Sequence, residues 1–195
     1  MGYPPDHKQK TRQRIVEAAR KLWKAKGYAN VSIGEIMKAA GLTHGGFYAH
    51  FKSKEALFVA AALDTSVTER YRAFKDDPKA HPLDVFEAVL DTYLSVGHRD
   101  NPEDGCPLVA LSDDAWRMGA GVQSAYTQLT KKAVKLLTEL LNGDEALAHT
   151  VLAALVGAIQ LARAVDDPKL SEAFLHDAKA QFMKVVAERM RVNDQ

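Results

Sequence analysis

Few residues in this chain are of a type and spacing to make or break bonds. A single cysteine, Cys106, precedes Pro107 and an expected helix. A thiol at a helix N-terminus is acidified and can sense oxidants or electrophiles, while a buried lone cysteine also serves simply as a small hydrophobe. Seven histidines, at 7, 44, 50, 81, 98, 149 and 176, include no H-x-x-x-H pair that would turn two imidazoles to one helix face for a metal. GLTHGG at 41–46 has neither the G-x-G-x-x-G nor the Walker spacing of a phosphate loop. The acidic pairs at 76–77, 113–114 and 166–167 fall at expected helix boundaries, not as facing dyads. No catalytic residue, metal site or cofactor is expected, and an enzyme is not the reading.

Binding chemistry is better supplied. Residues 1–54 carry eleven Lys/Arg against three Asp/Glu, a net charge of +8, and the remaining residues carry −7. A basic quarter on an acidic body suits a polyanion for the first part alone. In the same quarter GLTHGGFYAHF, residues 41–51, places Thr43, His44, Tyr48 and His50 among three glycines. A recognition helix must bring its first turn against the floor of the DNA major groove, and glycine permits close backbone approach. Thr43 can cap that helix and also donate to a phosphate, and Phe47 and Phe51 are its anchors. The alternative for this stretch is a tight surface turn between two core helices, and for the whole chain a helical protein-interaction module.

The elements that must position these residues read as helices throughout. Ile15, Ala18, Ala19, Leu22 and Trp23 recur at helical spacing over about 7–26, with Lys24 and Lys26 in the last turn and Gly27 just beyond. Ser32 and Glu35 form a capping box, so the next helix starts at Ile33 and stops at Gly41. A short connection leads to a second short helix at about 44–50, the helix-turn-helix pattern. Ser53 caps a long helix from Lys54 to about Phe74. Further helices are expected at about 82–98, 107–116, 120–141, 145–165 and from Pro168 or Ser171 to about Arg191. No strand pattern of useful length appears, so the fold class is all-α, with about nine helices. No apolar run reaches the roughly 18 residues of a membrane span, and the polar, basic start has no apolar signal core. A cytoplasmic protein without membrane association is expected.

SIGEIMKAAGLTHGGFYAHFKSKEALF, preceded by RIVEAARKLWKAKGY, resembles the DNA-binding segment of the TetR/AcrR family of transcriptional regulators. The matching features are S-I-x-E-I-x-x-A-A-G-L, G-x-F-Y-x-H-F and K-S-K-E-A-L, in order over about residues 9–58. The resemblance implies an N-terminal three-helix DNA-binding domain, 1–53. A long helix joins it to a ligand-binding and dimerisation body, 54–195. It implies phosphate contacts from Thr43, Tyr48, His50 and Lys54, with Ser32 and Lys52 in the same surface. Positions 33–34 and 44–46 would face base edges. Gly34, Gly45 and Gly46 bring no side chains there, which leaves His44 as the long polar reader and gives weight to Lys8, Lys10, Arg12 and DNA shape.

The resemblance also implies a homodimer through the last two helices, a double-stranded operator, a small-molecule effector and repression. The segment 145–165 is apolar nearly all round, and Ala154, Gly157, Ala158 and Ala162 suit close approach of another helix. Along the last helix Phe174, Leu175, Ala178, Phe182, Val185 and Val186 follow the same spacing. Candidate pocket residues are Phe86, Tyr93, Cys106, Trp116, Met118 and Tyr126, suited to an apolar or aromatic effector. Gln160 and Arg163 would fix its polar end or bridge the dimer. Cys106 leaves open a repressor that senses oxidants or electrophiles.

Overall fold

The computed structural model describes residues 5–62 and 81–193. Ten α-helices and two 3-10 helices make up the described secondary structure. They are α1 (Pro5–Lys26), α2 (Ile33–Ala39), the 3-10 helix His44–Ala49, α3 (Lys54–Ala62), α4 (Pro82–Tyr93), α5 (Val96–Asp100), the 3-10 helix Pro102–Asp104, α6 (Pro107–Ala110), α7 (Ser112–Arg117), α8 (Ala120–Leu140), α9 (Glu145–Ala164) and α10 (Pro168–Asn193). The continuation of the expected long helix from 63 to Phe74 lies outside the described residues, as does the acidic pair at 76–77.

Local chemistry sets most of the boundaries. Ser53 Oγ accepts from the Ala56 N–H and Asp144 Oδ1 from the Leu147 N–H. Asp167 Oδ1 accepts from Lys169 and Leu170 at the start of α10. Gly27, Gly41 and Gly143 take positive φ just past helix ends, where side chains rarely fit. Two expected helices are each divided. The one at 82–98 breaks after Tyr93, because Ser95 turns its hydroxyl to the His98 N–H and starts α5 afresh. The one at 107–116 becomes α6 and α7, with Leu111 between them outside helical geometry.

By contact the described residues form two compact units, one of residues 5–62 with 102–129, the other of 81–101 with 130–193. The first packs α1 against α2, α3, α6 and the 3-10 helix Pro102–Asp104. Its core joins Ile15, Ala19 and Trp23 to Ile36, Met37, Phe47, Leu57 and Phe58, and closes with Leu111, Ala115, Val122 and Ala125. The grouping puts α3 and 102–129 with the N-terminal helices, whereas the expected domain boundary lay at 53/54.

In the second unit α9 packs along α10, α5 against α9, and α4 against α10. Arg163 of α9 donates to the carbonyls of His98 (2.7 Å) and Arg99 (2.8 Å). Ser171, buried, donates to the Ala162 carbonyl and accepts from Arg99. Lys179 pairs with Asp91 and Glu87. Contrary to expectation, α9 is long and apolar enough to cross a membrane by length and composition, because small apolar residues outweigh its few polar ones. Within its unit it is a packed helix, with Leu147, Val151, Leu155, Ile159 and Ala162 on the buried side. Ala158 and Ala162 are buried by the chain itself, so of the small residues expected to admit a second helix the half-buried Ala154 and Gly157 remain, with Ala146, Ala153 and Ala164 exposed along the same helix.

Candidate nucleic-acid interface

The interface is built on α2. Ser32 Oγ accepts from the Glu35 N–H (3.2 Å) and Glu35 accepts from the Ser32 N–H (2.8 Å), the reciprocal cap that the pattern predicts. That bond holds the Glu35 carboxyl below its ordinary range. At the other end Gly41 turns the chain with φ +68, and Arg14 of α1 donates to the Ala40 carbonyl. The chain then enters the segment 44–49, which winds as a 3-10 helix and not as the expected α turn. Six residues with two glycines carry little intrinsic helix preference, so outside anchoring sets the wind. The anchor is Phe47, fully buried, with Tyr48 edge-on at 5.2 Å and Phe51 at 5.9 Å. Both phenylalanines join the core with α1 and α3, as expected.

Thr43 differs from its expected role. It occupies the N-cap position, but its side chain makes no cap bond, because its carbonyl already accepts from Gly46 in the tight i+3 pattern. The hydroxyl is left exposed for an outside partner. His44, Gly45, Tyr48, Ser32 and Lys52 are also exposed, Tyr48 by 65%. Gly34, Gly46, His50 and Lys54 are half-buried. The start of α2 meets the first turn of the 3-10 helix here, and a Cβ on Gly34 would stand 3.7 Å from the His44 ring.

Two members carry particular electrostatics. The His50 ring buries Nδ1 without a hydrogen-bond partner, and desolvation with Lys8 and Arg12 lowers its pKa. The neutral ring then carries its proton on Nε2, since an N–H at Nδ1 would find no acceptor. Arg12 lies 4.6 Å above the Phe51 ring, which fastens the basic start of α1 to this surface. Lys54 is turned to Tyr28. It donates to the Tyr28 carbonyl (2.7 Å) and sits 4.0 Å from that ring, and burial lowers its pKa.

A family model described as bacterial regulatory proteins of the tetR family matches residues 15–61, the stretch that holds this surface. Residues 15–61 are thus a DNA-binding domain of the tetR family of bacterial regulatory proteins. The HTH-type transcriptional regulator AcrR of Shigella flexneri is 36% identical over 84 residues, 42% of this chain and 39% of AcrR. The transcriptional repressor NemR of Escherichia coli strain K12 is 26% identical over 142 residues, 69% of each chain. In fold, the regulator resembles the reduced form of E. coli NemR with a TM-score of 0.77 at 22% identity, over 88% of this chain and 94% of that one. A TetR regulator from Chloroflexus aurantiacus gives 0.76 at 26% identity, over 93% and 96%.

The regulator's expected effector residues divide between the units. Phe86, fully buried, Tyr93, buried, and Gln160, exposed, belong to the second. Cys106, buried at the cap of the four-residue α6, belongs to the first with Met118 and Tyr126, both half-buried. Tyr126 donates to the Leu108 carbonyl (2.8 Å), and burial pushes its pKa up to about 12. Trp116 is 63% exposed, so it is no wall of an enclosed pocket, and the Arg117 guanidinium lies 5.2 Å from its ring. None of these seven lines either described cleft; Arg163, expected beside Gln160, lines the second. One cleft, about 920 Å³ and open, runs along Lys10, Arg14, Lys21 and Gly41; the other, about 370 Å³, along Arg99, Arg163, Asp166 and Ser171.

Sequence reasoning missed a set of ties inside the first unit. Lys24, expected in the last turn of the first helix, is 6% exposed and donates to the Gly105 carbonyl (3.0 Å). Burial, then Arg20, lowers its pKa to about 8. Asp114 accepts from the Tyr28 N–H (2.9 Å), so the one peptide unit pair of Tyr28 serves Asp114 and Lys54. The available signal was weak: Val16, Arg20 and Lys24 run at i+4 along the flank of the buried face of α1.

Proposed function

We propose that the regulator represses transcription as a homodimer on a palindromic operator and is released by a small apolar or aromatic effector. Residues 1–53 are the DNA-reading part, and residues 54–195 serve effector and dimer. The observation that carries the reading is the exposure of Thr43, His44, Gly45 and Tyr48 on one short anchored helix, flanked by the basic residues Lys8, Arg12 and Lys52. Thr43, Tyr48, the His50 Nε2–H, Lys52 and Lys54 contact phosphates, with Ser32 at the edge. Gly34, His44, Gly45 and Gly46 face base edges. Lys54 keeps two of its three N–H groups for a phosphate while the third holds Tyr28.

The dimer forms through α9 and α10. Along α9 the exposed residues Ala146, Ala153, Gln160, Leu161 and Ala164 flank the half-buried Gly157, where a Cβ would meet nothing within 4 Å. A second helix can approach that face closely, and Gln160 bridges there. The effector meets apolar residues of the body, Phe86 and Tyr93 among them. A titration in both directions tests the switch. Duplexes selected from a randomised pool supply the operator, and effector affinity is measured on free and operator-bound protein. Linkage demands the same factor both ways, corresponding to about 1–3 kcal/mol. Equal effector affinity with and without operator would refute the switch while leaving DNA binding intact.

A further inference from the structure

The smaller cleft, about 370 Å³, is lined by two arginines that the fold holds in place. It opens where α5 ends, between the last turn of α9 and the first turn of α10, and its lining residues all belong to the second unit. Arg163 is fixed by the carbonyls of His98 and Arg99. Arg99 is fixed by Ser171, whose hydroxyl accepts from Nη1 at 2.9 Å. The other edge of Arg99 is filled by Asp100, with Nε and Nη2 at 2.7 and 3.1 Å from the two carboxylate oxygens. This is the fork by which a guanidinium takes a carboxylate. The bond to Asp100 joins neighbours in sequence, so it ties no element to another. The Arg99 side chain is 17% exposed and the Asp100 side chain 55%. The cation is therefore held, while the anion is free to turn out to water, and an exposed pair of this kind adds little to stability. The bond to Arg99, with Arg163 acting from further off, keeps the Asp100 carboxyl below its ordinary range. Both cations thus favour a carboxylate at that one position.

We propose that this cleft is a binding site for a small carboxylate of single charge, which takes the Arg99 fork in place of Asp100. Asp100 is the internal stand-in for that ligand. Arg99 and Arg163 face Asp100 and Asp166 across the lining, so the cleft is neutral before binding. Once Asp100 turns out, one negative charge is matched, and the exposed Asp166 opposes a second. The volume lies at the small end of ligand sites. The site is separate from the apolar effector, and it does not depend on the operator reading.

The test titrates the full chain with propionate, and in parallel with inorganic phosphate, at constant ionic strength, following backbone amide signals by NMR. Propionate should move signals of residues 98–101 and 162–171 along one saturable curve. Asp100→Asn keeps the side-chain shape and removes the competing charge, so it should tighten propionate five-fold or more. Asp177→Asn removes an exposed acid of α10 that lines neither described cleft, and it should leave the affinity within two-fold. An equal gain in both variants would overturn the proposal, since net charge alone would then be acting. So would the lack of a saturable shift in both the wild type and Asp100→Asn, or saturation by phosphate without saturation by propionate.

Discussion

Replacing Lys24 by methionine separates the burial of a charge from the burial of a chain. Lys24 is 6% exposed. Burial lowers its pKa from 10.5 to about 8, with Arg20 one turn back acting the same way and Asp104, Glu17 and Cys106 pulling against it. That interval corresponds to about 3 kcal/mol by which the folded state disfavours the charged amine. In the unfolded chain the amine keeps its proton up to about 10.5, while the folded chain releases it from about 8. The unfolded state therefore binds more protons between those values, and stability rises with pH across that window. Below it both states are charged and the penalty is fully present. Urea unfolding of both proteins near pH 7.5 and near pH 9.5 reads the effect, because the other titrating groups cancel in the difference. The wild type should gain about 2 kcal/mol on Lys24→Met over that step. The variant gives up one hydrogen bond to Gly105, and a bond to a charged donor contributes about 1.5–3 kcal/mol, which offsets much of what it gains near pH 7.5. A difference that stays flat between the two conditions would refute a desolvated, protonated Lys24.

The other predictions concern the interface and the assembly. His44→Ala should relax preference at one base position in each half-site by about 1–3 kcal/mol, read by repeating the duplex selection; equal loss on operator and random DNA would make His44 a phosphate contact. Lys54→Ala should lower the slope of log affinity against log salt by about 1 per subunit and also lower the melting temperature, since it frees the Tyr28 carbonyl; an unchanged slope would confine Lys54 to bracing Tyr28. Gly157→Arg should split the dimer by placing a charge on the face where a second helix approaches, and sedimentation would place the interface elsewhere if the dimer keeps its affinity.

What could be read from the sequence was what local chemistry decides. The Ser32–Glu35 box, the Ser53 cap and the glycine stops at 27 and 41 act over three or four residues, and the structure repeats them. The anchoring of Phe47 and Phe51 was legible because large apolar side chains beside glycines must be held from outside. The misreadings lie where distant partners decide. The burial of Lys24 went unread because Gly105, 81 residues away, does not show in its neighbourhood. The bond from Lys54 to the Tyr28 carbonyl went unread because that carbonyl is 26 residues back. Thr43 was read as a side-chain cap because the pattern is the same for an α turn and a 3-10 turn. Trp116 was read as a pocket residue from its type, and type alone does not say which side of α7 meets the core.

The closing of the first unit by residues 102–129 has a consequence for how the protein comes into being. Its reading head is written early in the message, but Leu111, Ala115, Val122 and Ala125 complete the core beneath it, and Asp114 reaches back 86 residues to Tyr28. During synthesis, at about 5–20 residues per second, the first 62 residues emerge seconds before their partners and must wait with part of their apolar face uncovered. DNA-binding competence therefore follows translation of roughly two thirds of the chain and not of the first quarter. A head transplanted onto another regulator's body would carry that same open seam unless 102–129 travelled with it.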